Sequence, residues 1–156
     1  MKARPLWRPF WWLSLSAPWP SVLWSTGLDP GFPLSPPGTE LISLRNPVGL
    51  DGEDPKAADD LLLLSEFFLP VNEPVTVFLR SKDVLHSFFL PHFRVKQDAV
   101  PGMTIQTSFV PVEVGTFELA CAELCGFGHY KMRGILHVVS QEEYDEFLRA
   151  EVPFIN

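Results

Sequence analysis

The sequence predicts an all-β fold, a sandwich or barrel that ends in one short helix. From residue 66 onward, short runs rich in β-branched and aromatic residues recur, and proline, glycine or asparagine bounds each run. Ser140 and Glu143 form a capping box, which predicts a helix from there to about Ala150. Hydrophobic residues make up 46% of the chain and aromatic residues 13%, so there is enough apolar surface for a packed core.

Strands are predicted in five places within this part of the chain. They cover residues 66–69, 75–80, 103–110, 116–120 and 135–139. Short strands that follow one another without intervening helices are typical of a sandwich or barrel. The last two strands flank residues 121–132, so that segment is predicted to be a loop between neighbouring strands.

The chain is predicted to divide into an N-terminal extension, residues 1–38, and a β domain, residues 39–156. The end of the extension, residues 30–38, is rich in proline and glycine and is predicted to be a linker. Residues 46–60 combine turn formers with acidic residues, which favours an exposed loop.

An apolar run in the extension, residues 10–24, follows three basic residues and superficially resembles a targeting segment. Pro18 and Pro20 interrupt this run, and it is shorter than the roughly 20 apolar residues of a membrane helix. We therefore expect no transmembrane span in the chain.

The formal net charge is −7, from 12 basic and 19 acidic residues. A strongly acidic chain is repelled by the phosphates of nucleic acids and is attracted to basic proteins. We therefore expect no nucleic-acid partner, and the charge favours a basic protein partner.

Four side chains suited to metal binding lie within twelve residues: Cys121, Cys125, His129 and Met132. Copper is the metal that uses thiolate, imidazole and thioether ligands together, with methionine as a weak axial ligand. The spacing from Cys125 to Met132 is that of a one-copper electron-transfer loop, which needs one more imidazole. His86, at a predicted strand end, is the candidate. The additional thiolate of Cys121 would let two sulfurs bridge two copper ions, with one histidine on each.

The sequence of this loop also allows three other interpretations. Cys121 and Cys125 could form a disulfide across a short loop, which their spacing alone does not exclude. A structural zinc site is disfavoured because the paired Cys-x2-Cys and His-x3-5-His spacings are absent. Met132 could be an ordinary core residue and His129 a surface residue, but their joint spacing with Cys125 favours copper.

The loop resembles the dinuclear copper loop of cytochrome c oxidase subunit II. Residues 81–88, which contain His86, and residues 96–102 resemble two further signatures of that family, and the resemblance extends over about residues 40–150. It implies a cupredoxin-like Greek-key β-barrel over residues 39–156. It also implies a set of copper ligands, which comprises two bridging thiolates, two terminal imidazoles and two axial ligands, the second axial ligand being a backbone carbonyl: Cys121, Cys125, His86, His129, Met132 and Glu123.

The same resemblance implies a role in respiration. A protein of this family accepts electrons from cytochrome c and passes them to haem in subunit I, where oxygen is reduced, so the catalytic chemistry lies outside this chain. The Glu123 carboxylate is expected to reach a magnesium ion at the boundary with subunit I. The chain is expected at the membrane through the oxidase complex, with its copper domain facing the periplasm or the mitochondrial intermembrane space.

Two alternatives to this role stay open from the sequence. The copper domain of nitrous oxide reductase has the same loop spacing, but it typically has tryptophan where Glu123 stands. A stand-alone copper carrier would explain why the two-helix membrane hairpin usual in the family is not recognisable in this sequence.

Other polar residues near these motifs receive simpler interpretations. His92 and His137 are predicted to be non-metal histidines, with His137 in or beside the last strand. Lys96 and Asp98 are predicted to form a surface pair. Asp83, three residues before His86, is expected near the mouth of the copper site, either as a docking charge or as the cap of a turn.

Overall fold

A computed structural model describes residues 10–16, 19–25, 61–63 and 65–150, and for the first two ranges it describes the backbone alone. The elements found in these ranges are strands β1 (Phe10–Ser16), β2 (Trp19–Ser25), β3 (Leu61–Leu63), β4 (Glu66–Pro70), β5 (Val75–Ser81), β6 (His86–Leu90), β7 (Val95–Ala99), β8 (Ile105–Phe109), β9 (Gly115–Cys121) and β10 (Arg133–Val139), and helix α1 (Gln141–Ala150). Short 3-10 turns lie at Pro91–Phe93 and His129–Lys131.

The strands form two five-stranded sheets, in the orders β3-β2-β1-β5-β8 and β4-β10-β9-β6-β7. From β4 to β9 the chain crosses between the sheets four times, because β5 and β8 belong to the first sheet and β4, β6, β7 and β9 to the second. Crossing between sheets in this way is what a Greek-key sandwich requires. The predicted all-β fold with one short C-terminal helix is confirmed.

Side chains from both sheets form one hydrophobic cluster between them. In β5 the alternate residues Val75, Val77 and Leu79 are at most 2% exposed. Leu90 from β6 and Val138 from β10 join them from the second sheet, each 1% exposed. Burying one such side chain stabilises the fold by about 1.5–3 kcal/mol. Because the side chains of a protein core are closely packed, the sandwich is a firm frame for the loops at its ends.

The predicted strands are all found, with ends that move by one or two residues. The starts of β8 and β10 each move by two residues. Before β8, Gly102 has a φ of 77° and the Met103 amide donates to the Val100 carbonyl at 3.1 Å. This turn takes Met103 out of the strand. Helix α1 is confirmed together with its capping box, because the Glu143 amide donates to Ser140 Oγ at 3.2 Å and the Ser140 amide donates to the Glu143 carboxylate at 3.0 Å.

Strands β1 and β2 lie in the segment that the sequence predicted to be an extension, where no strand was expected. The two strands are antiparallel to each other, and β1 also pairs with β5 in parallel. No helix in the described ranges is long and apolar enough to cross a membrane. The predicted linker at 30–38 and the predicted loop at 46–60 lie outside the described residues, and the domain boundary at residue 38 stays a prediction.

Several strands start or end at the same edge of the sandwich. Leu79 near the end of β5 pairs with Ile105 at the start of β8, and Ser81 forms an isolated bridge with Pro101. In the other sheet, Phe88 near the start of β6 pairs with the last residue of β9, Cys121. The β5–β6, β7–β8 and β9–β10 connections therefore meet at one end, which we call the loop end.

Candidate metal centre

The β9–β10 hairpin positions the sulfur-rich segment at the loop end. Ala120 pairs with Arg133, and the Cys121 amide donates to the Met132 carbonyl at 3.1 Å, so the two ends of the loop are held together. Gly126 adopts a φ of 116°, a conformation that residues with side chains rarely take. The loop thus folds back on itself directly after Cys125.

The two cysteine sulfurs lie side by side without a bond. Cys121 Sγ and Cys125 Sγ are 3.8 Å apart, well beyond the roughly 2.05 Å of a disulfide. Both thiols are therefore available as ligands, and both residues are half-buried.

Each sulfur faces a different imidazole. His86 Nδ1 lies 3.9 Å from Cys121 Sγ, and His129 Nδ1 lies 3.5 Å from Cys125 Sγ. His86 is the first residue of β6 and is 1% exposed, whereas His129 opens the 3-10 turn inside the loop. One imidazole is thus supplied by the loop itself and the other by a strand that is remote in sequence.

The two predicted axial ligands also lie beside different sulfurs. Met132 Sδ is 3.2 Å from Cys125 Sγ, and the Glu123 carbonyl oxygen is 3.3 Å from Cys121 Sγ. The thioether belongs to the core, since Met132 is only 7% exposed. The structure therefore brings all six predicted site residues together, with a histidine and an axial donor beside each sulfur.

A contact that the sequence did not predict holds Nε2 of His86, the ring nitrogen that does not face Cys121. Its Nε2 lies 2.8 Å from Asp83 Oδ1. The Ser81 hydroxyl donates to the Val84 carbonyl, and Ser81 Oγ lies 3.4 Å from the same carboxylate oxygen of Asp83. Burial is the largest single effect and raises the pKa of the Asp83 carboxyl. The hydrogen bond from His86 and the backbone hydrogen bonds together lower the pKa by more than burial raises it, so the pKa lies below its usual value. An ionised carboxylate can only accept, so Nε2 is the nitrogen of His86 placed to donate in this contact, and Nδ1 is the nitrogen that faces Cys121.

The Cys125 thiol is hard to ionise in the metal-free chain. Burial is the largest cause, followed by the hydrogen bond and charge of Cys121 and by the charge of Asp83, and together they raise the pKa of Cys125 to about 11. A metal that binds here must displace a proton from this sulfur.

A buried serine fastens the loop to the neighbouring strand β6 of the same sheet. Ser87 is fully buried; its carbonyl accepts from the Ala122 amide at 3.0 Å, and its hydroxyl donates to Asp98 Oδ1 at 2.7 Å. Lys96 Nζ lies 3.2 Å from the same oxygen, which confirms the predicted Lys96–Asp98 pair. The hydrogen bond from Ser87, and then that from Lys96, lower the pKa of Asp98.

The remaining histidines lie away from this site. His137 is in β10, as predicted, where it stacks on Phe68 and its Nδ1 lies 3.2 Å from Thr116 Oγ1. His92 lies in the first 3-10 turn beside the ring of Phe117.

The surface of the loop end is unusually apolar for a region that also contains polar ligands. Its exposed large apolar side chains range from 44% to 95% exposed: Val84, Leu85, Met103, Leu124, Phe127 and Tyr130. An exposed apolar patch of this kind is typical of an interaction surface.

The chemistry of the donor set fits copper. Thiolate, imidazole and thioether donors are the soft to borderline ligands that copper combines, and hard cations such as magnesium prefer oxygen donors. Among the described residues, one ring nitrogen of His86 and the sulfurs of Cys121 and Cys125 form a group whose ligand atoms all lie within 4.8 Å of one another. The β-sandwich and this donor set together define a cupredoxin-like domain with a sulfur-rich metal site.

Comparison with known proteins identifies the family. Residues 54–139, more than half of the chain, match the family described as Cytochrome C oxidase subunit II, periplasmic domain, and the chain belongs to that family. It is 44% identical over 114 residues to the alternative cytochrome c oxidase subunit 2 of Bradyrhizobium diazoefficiens, which covers 72% of this chain and 41% of that protein. It is 41% identical over 91 residues to cytochrome c oxidase subunit 2 of Thermostichus vulcanus, which covers 58% of this chain and 28% of that protein.

Solved structures agree with the fold. The periplasmic domain of subunit II of cytochrome oxidase (CoxB) of Bradyrhizobium japonicum superposes with a TM-score of 0.65 at 24% identity, over 94% of this chain and 95% of that one. A mixed disulfide intermediate between a thioredoxin-like protein and subunit II of cytochrome c oxidase superposes with a TM-score of 0.60 at 25% identity, over 94% and 92%. This chain spans less than half the length of the two curated relatives described above.

Proposed function

We propose that this chain is the electron-transfer part of a cytochrome c oxidase. It would bind two copper ions, accept electrons one at a time from cytochrome c, and pass them to haem in subunit I, where oxygen is reduced. The observation that supports this most directly is that a histidine and a second donor lie beside each sulfur of the Cys121–Cys125 pair. Bound copper supplies the one-electron carrier, and the chain supplies its position and surroundings.

The placement of the donors favours two ions over one. His86 and the Glu123 carbonyl lie beside Cys121, whereas His129 and Met132 lie beside Cys125. The group of ligand atoms within 4.8 Å of one another does not include His129. A single ion on the His86 side would therefore leave the other imidazole and the thioether unused.

The rigidity of the frame suits electron transfer. Met132 and His86 are buried, and the Cys121 amide is bonded across the hairpin, so the ligand positions are set by the folded sandwich. Ligands that are held before the metal binds have little room to move when the metal changes charge. A carrier that releases its copper needs the opposite property, so this geometry disfavours the stand-alone copper carrier. Glu123, where nitrous oxide reductase typically has tryptophan, disfavours that enzyme.

The surface of the loop end supports docking of other proteins beside the metal site. Leu124 is 87% exposed and Phe127 is 95% exposed, and both belong to the metal-binding loop. We expect this apolar surface to be covered in part by subunit I, and the net charge of −7 to attract a basic cytochrome c.

We also propose that the carboxylate of Glu123, a half-buried residue, binds a magnesium ion on the boundary with subunit I. Membrane association through the oxidase complex, with the copper domain facing the periplasm or the mitochondrial intermembrane space, is also part of the proposal.

Copper loading of the reduced chain tests the proposal. We expect about two copper ions per chain by metal analysis, and a seven-line electron paramagnetic resonance pattern from one electron shared by two equivalent nuclei. Cys125→Ser is the matched variant, and it should abolish that pattern because one of the two sulfurs beside the histidines is lost. One copper per chain with a four-line spectrum, or preferential loading of zinc, would refute the dinuclear site.

A further inference from the structure

We propose that Asp83 is a positioning residue that fixes the imidazole of His86 in the tautomer and orientation needed for metal binding. This inference rests on the proposed function and adds a role for a residue that is not itself a ligand. The sequence suggested two other roles for Asp83, a docking charge or a turn cap. The contact of 2.8 Å between Asp83 Oδ1 and His86 Nε2 points to a third.

The hydrogen-bonding chemistry of imidazole gives this contact its consequence. A neutral imidazole has one N–H donor and one lone pair, so the nitrogen that donates to a carboxylate cannot also bind a metal. Because Nε2 of His86 donates to Asp83, Nδ1 keeps its lone pair, and Nδ1 is the nitrogen that faces Cys121 Sγ at 3.9 Å. The carboxylate thereby selects the nitrogen that is turned toward the sulfurs.

The local fold holds the carboxylate in place. Residues 82–85 connect β5 to β6, and the connection is fixed at both ends, by the bridge between Ser81 and Pro101 and by the start of β6 at His86. The Ser81 hydroxyl donates to the Val84 carbonyl within this connection, and its Oγ lies 3.4 Å from Asp83 Oδ1. Val84 and Leu85 are 44% and 49% exposed, so the hydrophobic side chains of this connection face solvent while its carboxylate contacts the buried histidine.

The charge of the carboxylate should also affect the metal. A carboxylate that accepts a hydrogen bond from a metal-binding histidine makes the imidazole a stronger donor, and loss of such a partner typically weakens metal binding by about 10–100-fold. We expect a stronger donor and a nearby negative charge to favour the oxidised site. Removing the charge should therefore raise the reduction potential.

Two substitutions separate orientation from charge. In Asp83→Asn the amide oxygen can still accept from Nε2, so the ring orientation is kept and the charge is lost. In Asp83→Ala both are lost. Glu118→Gln is the matched control, because it also removes one carboxylate near the site. Glu118 is an exposed residue of β9, three residues before Cys121, and its carboxylate pairs with Arg133 rather than with a candidate ligand.

The first measurement uses the metal-free full chain, so it does not depend on copper. Nitrogen-15 NMR of the histidine rings should find His86 protonated on Nε2 in the wild-type chain and in Glu118→Gln, and in a mixture of tautomers in Asp83→Ala. A wild-type ring protonated on Nδ1, or an Asp83→Ala ring unchanged from wild type, would overturn the proposal. If the wild-type chain fails to bind two copper ions, the proposed function is wrong, and this measurement still decides the role of Asp83.

The second measurement uses the copper-loaded chain. Asp83→Ala should bind copper about 10–100-fold more weakly and change the hyperfine pattern, while Asp83→Asn should bind nearly normally with a raised reduction potential. Circular dichroism and thermal melts check that each variant is folded. If Asp83→Ala does not fold, Asp83→Asn still tests the effect of the charge. Variants with wild-type affinity, spectrum and potential, but slower reduction by cytochrome c at low salt, would assign Asp83 to docking and overturn the positioning role.

Discussion

The raised pKa of Cys125 makes a measurable prediction about the metal-free chain. Its value of about 11, against an ordinary 9.0, means that at about pH 8 the thiolate fraction is about a hundredfold smaller than that of an unperturbed thiol, since each pKa unit is a factor of ten. Only the thiolate reacts with iodoacetamide. Alkylation of Cys125 should therefore accelerate about tenfold per pH unit and level off only near pH 11, as followed by peptide mass spectrometry.

The shape of this profile, rather than the absolute rate, reports the pKa, because partial burial also slows access of the reagent. Cys121→Ala is the control, since it leaves Cys125 as the sole thiol of a chain with 2 cysteines. The variant loses the contribution of Cys121 but keeps burial, the largest cause, so its plateau should move to lower pH and stay above 9.0. A wild-type profile that levels off by about pH 9 would refute the assignment.

The sign of the associated pH dependence follows from the direction of the shift. Because the folded chain holds the Cys125 proton more tightly than the unfolded chain, this thiol contributes stability below about pH 9, and that contribution is lost as the pH rises through about 11. Copper binding displaces the same proton, so the apparent copper affinity should rise with pH over the whole range below the pKa.

Two further substitutions test the site and its frame. Met132→Leu should retain copper and shift the reduction potential, because a weak axial ligand tunes the metal more than it holds it; complete loss of copper would contradict the axial role. Gly134→Ala should lower the free energy of unfolding by about 1–3 kcal/mol in urea denaturation, because the added Cβ would lie 2.9 Å from the Phe67 ring, in a packed core. Gly128→Ala, where a Cβ meets no atom within 4 Å, is its control and should change stability much less.

The cluster of donor groups could be predicted largely because most of its members are local in sequence. Four of the side chains, and the Glu123 carbonyl, belong to one hairpin loop, and the pairing of Cys121 with Met132 across its base brings the loop ends together. Spacing is informative under these conditions, since a short loop leaves few ways for its ligands to meet. The histidine from outside the loop, His86, is predicted because it lies in a segment, residues 81–88, that resembles a family signature.

The contact between Asp83 and His86 could not be predicted in the same way. Along a strand, side chains alternate between the two faces, so residues three apart point in opposite directions. The contact forms because residues 82–85 are not a strand but a connection between the sheets, in which Asp83 turns back toward His86. Its geometry depends on where β5 ends and β6 begins, and those ends are set by tertiary packing.

Strands β1 and β2 were missed for a different reason. Residues 10–24 form an apolar run broken by prolines, in which polar and apolar residues alternate only over residues 13–16. A mainly apolar run of this kind fits a buried strand or a targeting segment equally well. Only the pairing of β1 with β5 distinguishes the two interpretations.

The division of the ligands between the loop and β6 has a consequence for assembly. The donors beside Cys125, from His129 and Met132, come from the hairpin itself, whereas His86 reaches Cys121 only when β6 is docked beside β9. The position of His86 beside Cys121 therefore depends on long-range packing. His86 is also the histidine whose ring contacts Asp83. A carboxylate that orients this imidazole before the metal arrives removes a source of freedom from the ligand that the fold brings from farthest away.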